Sequence, residues 1–291
     1  MEDWLRDLIR RIERLNRSEL KHGLQQLGST PARHAHESEP DASIGAASGR
    51  RVTLEEAVPG LEVTSPFGGK AYLISSAVDD IDPSLTELCD LLCDAVLNPN
   101  SGACRALRRA HSREAVDLRD LLFLDLETTG LNCEPLFLIG TMHWDGESLV
   151  VQQFLARDYS EEKHAIALAA EELGSRGFLV SFNGKSFDLP YVETRAAAHR
   201  LELPRPWGHL DLLHECRRAW GHRLPNCKLR TLESFILGRT RWDDIPGSQI
   251  PDAYHRFVRS GDAAEMVRIL KHNMRDLVTL AELLLHLPGH E

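Results

Sequence analysis

The stretch Leu122-Phe-Leu-Asp-Leu-Glu-Thr-Thr-Gly130 constrains this chain more than any other part of it. Its apolar residues are those of a buried strand, yet two acids, Asp125 and Glu127, stand inside it one residue apart. Side chains of a strand alternate between faces, so Asp125 and Glu127 share one face while Leu124 and Leu126 enter a core. Two carboxylates held that close raise each other's pKa unless a cation lies between them. A divalent metal site is the economical reason to build such a pair, and metal-assisted phosphoryl chemistry is its usual use.

The 291 residues are enough for one large domain, or for a domain with an extension. The net charge of −10 argues against a protein held on nucleic acid by charge alone, although local basic patches stay possible. No apolar run reaches the roughly 20 residues of a membrane span. Met1 to Arg10 is amphipathic and broken by acids, without the apolar core of a secretory signal, so a cytoplasmic location without membrane contact is expected. Six cysteines are scattered. Cys89, Cys93 and Cys104 with His111 could in principle hold zinc, but the spacing matches no common pattern, and reduced, buried thiols are the preferred reading.

Residues 1–27 are expected as an amphipathic helix, with Trp4, Leu5, Leu8, Ile9, Ile12 and Leu15 forming its stripe. Residues 28–50, poor in large apolar side chains, read as a disordered linker. A small N-terminal region follows over 51–118, with a hairpin around Pro66-Phe-Gly-Gly-Lys70 and a helix over 84–97. From 119 to 288 the pattern is that of one α/β domain. Strands at 121–127, 136–144 and 148–154, the last two joined by the Asp145-Gly146 turn, suggest an antiparallel meander. Helices and strands then alternate: helix 160–173, strand 177–182, helix 187–199, strand 209–213 and helix 228–237. A final helix starts near Asp262, with Asp262-x-x-Glu265 as a capping box. The fold class is therefore α/β, a mixed sheet flanked by helices with an N-terminal helical and linker extension.

Two further acids stand at places where chemistry is often done. Asp188 ends Phe182-Asn-Gly-Lys-Ser-Phe-Asp188, which leaves a buried strand through a glycine turn. It is either a helix N-cap or a functional acid beside a strand end. His272 and Asp276 are four apart on the last helix and share a face, which alone would be an ordinary solvated stripe.

Taken together, Asp125-x-Glu127, Asn183-Gly-Lys-Ser-Phe-Asp188 and His272-Asn-Met-Arg-Asp276 resemble the three motifs of the DEDD superfamily of 3′→5′ exonucleases, on an RNase H-like fold. More narrowly, residues 119–287 resemble the YprB-like, ribonuclease H-like proteins of bacteria. His209-Leu-Asp-Leu-Leu213, Leu224-Pro-Asn-Cys-Lys-Leu229 and Asp244-Ile-Pro-Gly247 support that likeness. The resemblance implies a metal-dependent 3′→5′ exonuclease that takes a single-stranded 3′ end of nucleic acid. It implies two divalent ions, Mg²⁺ or Mn²⁺, with Asp125 bridging them, Glu127 and Asp276 completing one site and Asp188 serving the other. A structure-specific endonuclease and a non-catalytic nucleic-acid-binding module are the alternatives.

His272 departs from the family pattern. One branch has a tyrosine four residues before the last acid and the other a histidine five before, whereas this chain has a histidine at the tyrosine spacing. It is read as general base, as water-orienter, or as a residue packed behind the site. By resemblance, Thr128, Thr129 and Gly130 contact the terminal nucleotide, the alternative being an ordinary strand-exit turn. Asn183 and Lys185 are candidate phosphate or sugar contacts. Phe187 suits the core better than a base, and Asp211 is a candidate to hold a ligand or water from behind. For His209 and His214, core or surface roles are preferred to zinc. Arg217, Arg218, Arg223, Lys228, Arg230, Arg239 and Arg241, set against Glu233 alone, would draw a nucleic-acid backbone if they flank the acids.

Overall fold

The computed structural model describes residues 51–111, 116–131 and 133–289. The amphipathic helix expected over 1–27 and the linker over 28–50 lie outside the described residues.

Arg51–Glu291 form a single compact unit around a seven-stranded mixed sheet of order β1-β2-β5-β4-β3-β6-β7. The strands are β1 Leu61–Thr64, β2 Lys70–Ala77, β3 Leu121–Thr128, β4 Leu136–Trp144, β5 Leu149–Leu155, β6 Phe178–Ser181 and β7 Gly208–Asp211. β3, β4 and β5 form the expected antiparallel meander. β6 pairs parallel with β3, and β7 parallel with β6. β3 is thus the seam between the two halves, with an antiparallel neighbour on one side and a parallel one on the other. The region over 51–118 supplies the β1–β2 hairpin, which extends the sheet through β2 and β5.

The helices longer than one turn are α1 Leu88–Leu97, α2 Gly102–Arg109, α3 Glu162–Arg176, α4 Asp188–Ala198, α5 Leu212–Trp220, α6 Ile250–Ser260 and α7 Ala264–His286. Alternation along β3 divides the core. Leu122, Leu124 and Leu126 join one cluster with Ile166 of α3 and Val192 of α4. Leu121 and Phe123 join the other with Leu92 of α1, Leu107 of α2 and Leu284 of α7. By parity, Asp125 and Glu127 continue the second face, where apolar residues give way to acids along one strand. No helix among the described residues is long and apolar enough to cross a membrane.

Several local expectations are corrected. The strand expected over 209–213 stops at Asp211, because the Asp211 carboxylate accepts from Leu213 N at 3.0 Å and caps α5. The helix expected over 228–237 is an α-turn, Leu229–Leu232, running into a π-turn, Glu233–Leu237. The capping box at Asp262 does not form: the N-cap of α7 is Ala263, and Glu265 is taken by Arg256 at 2.7 Å. Helices α2, α5 and α6 were not anticipated. α6 docks by stacking Tyr254 on Phe137, ring centroids 4.0 Å apart, while its hydroxyl donates to Ala156 O at 2.9 Å.

One buried ion cluster ties the meander to the helices. Glu162, 2% exposed at the start of α3, accepts from Leu136 N at 2.8 Å and from Arg195 Nε at 2.6 Å, and pairs with His199 Nε2 at 2.9 Å. Arg195 also donates to Cys133 O at 2.7 Å, in the loop that follows the acidic strand. Burial raises the Glu162 pKa, but Arg195, His199 and the Leu136 amide outweigh it and hold the carboxyl below its usual range. Glu162→Gln should cost about 3 kcal/mol by leaving Arg195 without its partner, read as a lowered urea midpoint. Its lowered pKa makes its contribution full above the unfolded value of about 4.3 and lost as pH falls through the folded value. The gap between wild type and variant should therefore narrow in acid.

Candidate active site

Four acids and a histidine meet where α7 crosses the sheet. Asp125 and Glu127 come from β3, Asp188 from the first turn of α4, and His272 and Asp276 from α7. The N-cap of α4 is Phe187, so the structure removes the capping alternative for Asp188, which is buried within the helix itself.

A row of three strands sets the crossing. Asp125, Gly140 and Gln153 are neighbours across β3, β4 and β5. A Cβ on Gly140 would come within 2.1 Å of Asn273 Oδ1, so the missing side chain is what lets α7 lie on the sheet here. Asn273 is fully buried in that gap. Its Nδ2 donates to Asp125 Oδ2 at 2.8 Å, and its Oδ1 accepts from Gln153 Nε2 at 2.8 Å. Gln153 Nε2 also donates to Leu270 O at 2.8 Å. The amide thus fixes the orientation of Asp125 from behind.

The opposite wall is the segment 241–244. Arg241, with a side chain 7% exposed, donates to Asp276 and to Glu233. Glu233 also accepts from Thr279 Oγ1 at 2.6 Å. Asp244 accepts from Arg230 Nη2 at 2.8 Å and lies 2.8 Å from His272 Nδ1. The other imidazole nitrogen, Nε2, faces Asp276 Oδ2 at 3.5 Å and Glu127 Oε1 at 3.9 Å.

The charges oppose one another. Burial, with the charges of Asp276, Glu127 and Asp188, raises the Asp125 pKa well above the usual carboxylate range. Glu127 is raised by burial and by Asp276, Asp188 and Asp244. Asp188 is pushed up to about 7, first by burial and then by Asp211 and Asp276. Asp276 is raised by burial even though Arg241 and His272 pull the other way. Among the described residues no three acidic, imidazole or thiol groups converge into a finished metal cage. The donor set nevertheless suits hard divalent cations, being all oxygen and mutually repelling.

The other residues singled out in the sequence have definite places. Thr128 Oγ1 donates to Gly130 O at 2.5 Å and Thr129 Oγ1 to Pro135 O at 3.0 Å, so both hydroxyls are engaged within their own loop. Gly130 lies where a Cβ would meet the Glu134 carboxyl at 2.7 Å. Asn183, in the left-handed region at φ 65°, and Lys185 are exposed. Their amides donate to Asp211 at 2.8 and 3.1 Å, so Asp211 shapes the loop that delivers Asp188. Phe187 packs on Tyr191, ring centroids 5.3 Å apart. His209 lies 2.8 Å from Ser181 Oγ, and burial lowers its pKa to about 4. Burial pushes the Cys89 thiol up to about 12, and His111 lies edge-on to Phe178 and Trp207.

The basic stretch is less free than its sequence suggests. Arg218 pairs with Glu215, Arg230 with Asp244, and Arg239 with Glu282. Asn273, Gln153 and Asp244 carry no site signature of their own in the sequence, and Arg241 stands out there only as part of the basic stretch. A glycine and a glutamine inside otherwise apolar strands were the available signals for the first two.

A family model described as the RNase_H superfamily matches residues 122–287. YprB of Bacillus subtilis, an uncharacterized protein, is 33% identical over 181 residues, which cover 60% of this chain and 44% of that protein. The chain thus spans less than half the length of that relative. An uncharacterized protein of Methanocaldococcus jannaschii is 26% identical over 167 residues, 55% of this chain and 90% of its own. Among solved structures, the family B DNA polymerase of the archaeon Pyrobaculum calidifontis aligns over 60% of this chain and 25% of its own. The identity is 19% and the TM-score 0.45.

Asn273→Ala should lower unfolding free energy by about 1–3 kcal/mol, because Gln153 and Asp125 each lose a buried partner. Gly140→Val should be at least as damaging, since α7 would have to lift. Denaturant titration reads both. Raised carboxylate pKa values mean that the folded state binds more protons than the unfolded one. With chelator present, stability should therefore fall as pH rises from about 4 to 7. Mg²⁺ or Mn²⁺ at pH 7.5 should raise the melting temperature of the wild type more than that of Asp125→Asn.

Proposed function

This chain belongs to the RNase H superfamily, and from that membership we propose that it is a metal-dependent nuclease that releases nucleotides from the 3′ end of a single strand. The observation that carries the reading is the gathering of Asp125, Glu127, Asp188 and Asp276, with the His272 imidazole facing Glu127 and Asp276. An isolated protein gains nothing from four acids that repel one another. Phosphodiester hydrolysis needs such a group to hold cations.

Two divalent ions, Mg²⁺ or Mn²⁺, held by these carboxylates would neutralise the phosphodiester and activate the attacking water. In this reading Asp125, oriented by Asn273, would hold the ions together with Glu127, Asp188 and Asp276. His272 is the base in this reading. Nδ1 lies 2.8 Å from the Asp244 carboxylate, and Nε2 is turned toward Glu127 and Asp276. Nε2 takes the proton of the attacking water. The loop Thr128–Gly130 approaches the terminal nucleotide through its backbone, and the exposed Asn183 and Lys185 contact its sugar or phosphate.

Single-stranded and duplex DNA and RNA, each with Mg²⁺ and Mn²⁺, should show stepwise nucleotide release that Asp125→Asn reduces to background. Undiminished release by that variant at saturating metal sinks the reading. Cleavage of circular or 3′-blocked strands would instead favour an endonuclease on the same fold. His272→Ala should lower kcat about 10²- to 10⁴-fold at neutral pH while KM changes little. Asp244→Asn should shift the pH–kcat profile in a way that a purely structural change would not.

A further inference from the structure

Beside the acidic cleft, residues 239–243 and the outer side of α7 line a cavity of about 590 Å³. That size falls in the range of small-ligand pockets, about 300–1,000 Å³. Arg241 belongs to both places, since it lines the cavity and binds Asp276. Lys271 and Arg275, each one residue before a proposed catalytic residue on α7, line the cavity as well, and Met274 gives it an apolar wall.

Two observations point to a ligand. Trp242 lines the cavity yet is 87% exposed, more than any other large apolar side chain among the described residues. An indole left open to water beside Lys271 and Arg275, in a lining that also holds Asp82, Asp243 and Glu233, is a surface on which a base can stack. Lys271 and Arg275 share one acceptor, Asp243, at 3.1 and 3.0 Å. Asp243 is 61% exposed, so these pairs are weak and a phosphate can take both cations from it.

We propose that this cavity is a nucleotide subsite for single-stranded nucleic acid, with a base stacked on Trp242 and a phosphate between Lys271 and Arg275. The proposal rests on the nuclease reading, because it places the rest of the strand whose end enters the acidic cleft. Base and phosphate recognition are then divided between an aromatic face that accepts any base and a pair of cations that reads only charge. This also explains how an acidic chain holds an anionic polymer: the attraction is local to α7 and the adjoining loop.

The test is fluorescence anisotropy of labelled oligopyrimidines about 12 nucleotides long, DNA and RNA, on the full chain in chelator, where hydrolysis does not intervene. Trp242→Ala should weaken binding about 5- to 100-fold, and Trp242→Phe should retain most of the affinity. Lys271→Ala with Arg275→Ala should flatten the dependence of log affinity on log salt by about one to two units. The exposure of Trp242 means that its substitution leaves the core intact. Unchanged affinity in Trp242→Ala, with an unchanged salt slope in the double variant, overturns the subsite. Binding that depends on Trp242 without metal-dependent hydrolysis by the wild type would defeat the nuclease reading and leave the subsite standing.

Discussion

The crowding of four buried and half-buried carboxylates is the constraint on which the rest of this structure depends. Burial raises the pKa values of Asp125, Glu127, Asp188 and Asp276, and the charge of Asp276 raises the first three further. Such a cluster persists only if its surroundings hold it open and supply countercharge. Arg241 on Asp276, the Asn273 amide on Asp125, and the imidazole between Glu127 and Asp276 all answer that need. These partners come from the segment 241–244 and from α7, which packs on β3.

The sheet makes the arrangement possible through an omission. Gly140 sits between Asp125 and Gln153, and the space its side chain would fill is occupied by Asn273. One close approach thereby sets the height of α7 above the sheet and, through it, the height of His272 and Asp276. The Glu162 cluster does a similar service on the other side, joining the start of β4 to α4 and bracing the loop after the acidic strand. The fold is most finely specified where polar side chains are buried, because there an unpaired group costs more than a poorly packed methyl group gains.

Much of the fold was legible in the chain. The meander, the hairpin and the alternation of helix and strand follow from hydrophobic period and turn residues, which act over a few neighbours. The misjudged places differ in cause. Leu212 and Leu213 look like the end of a strand until Asp211 is seen to cap a helix. The Asp262–Glu265 box fails because Arg256 holds Glu265. The first is a competition between two local preferences, since Asp211 caps from two residues away, and the second a contact from nine residues away. The basic stretch misled similarly: its charges were counted correctly, but Glu215, Asp244 and Glu282, which neutralise several of them, lie outside it in sequence.

For the candidate site, the chain alone singled out the acids that the fold brings together. A carboxylate pair in an apolar strand, an acid after a glycine turn and an acid one helical turn from a histidine are local patterns, and their chemistry belongs to the side chains themselves. Only the tertiary structure decided what compensates them. Asn273 meets Asp125 across 148 positions and Gln153 across 120, and His272 meets Asp244 across 28. No periodicity encodes those meetings. They depend on where a 23-residue helix crosses a sheet, and that crossing is set by packing against a glycine whose role is invisible until its neighbour is in place.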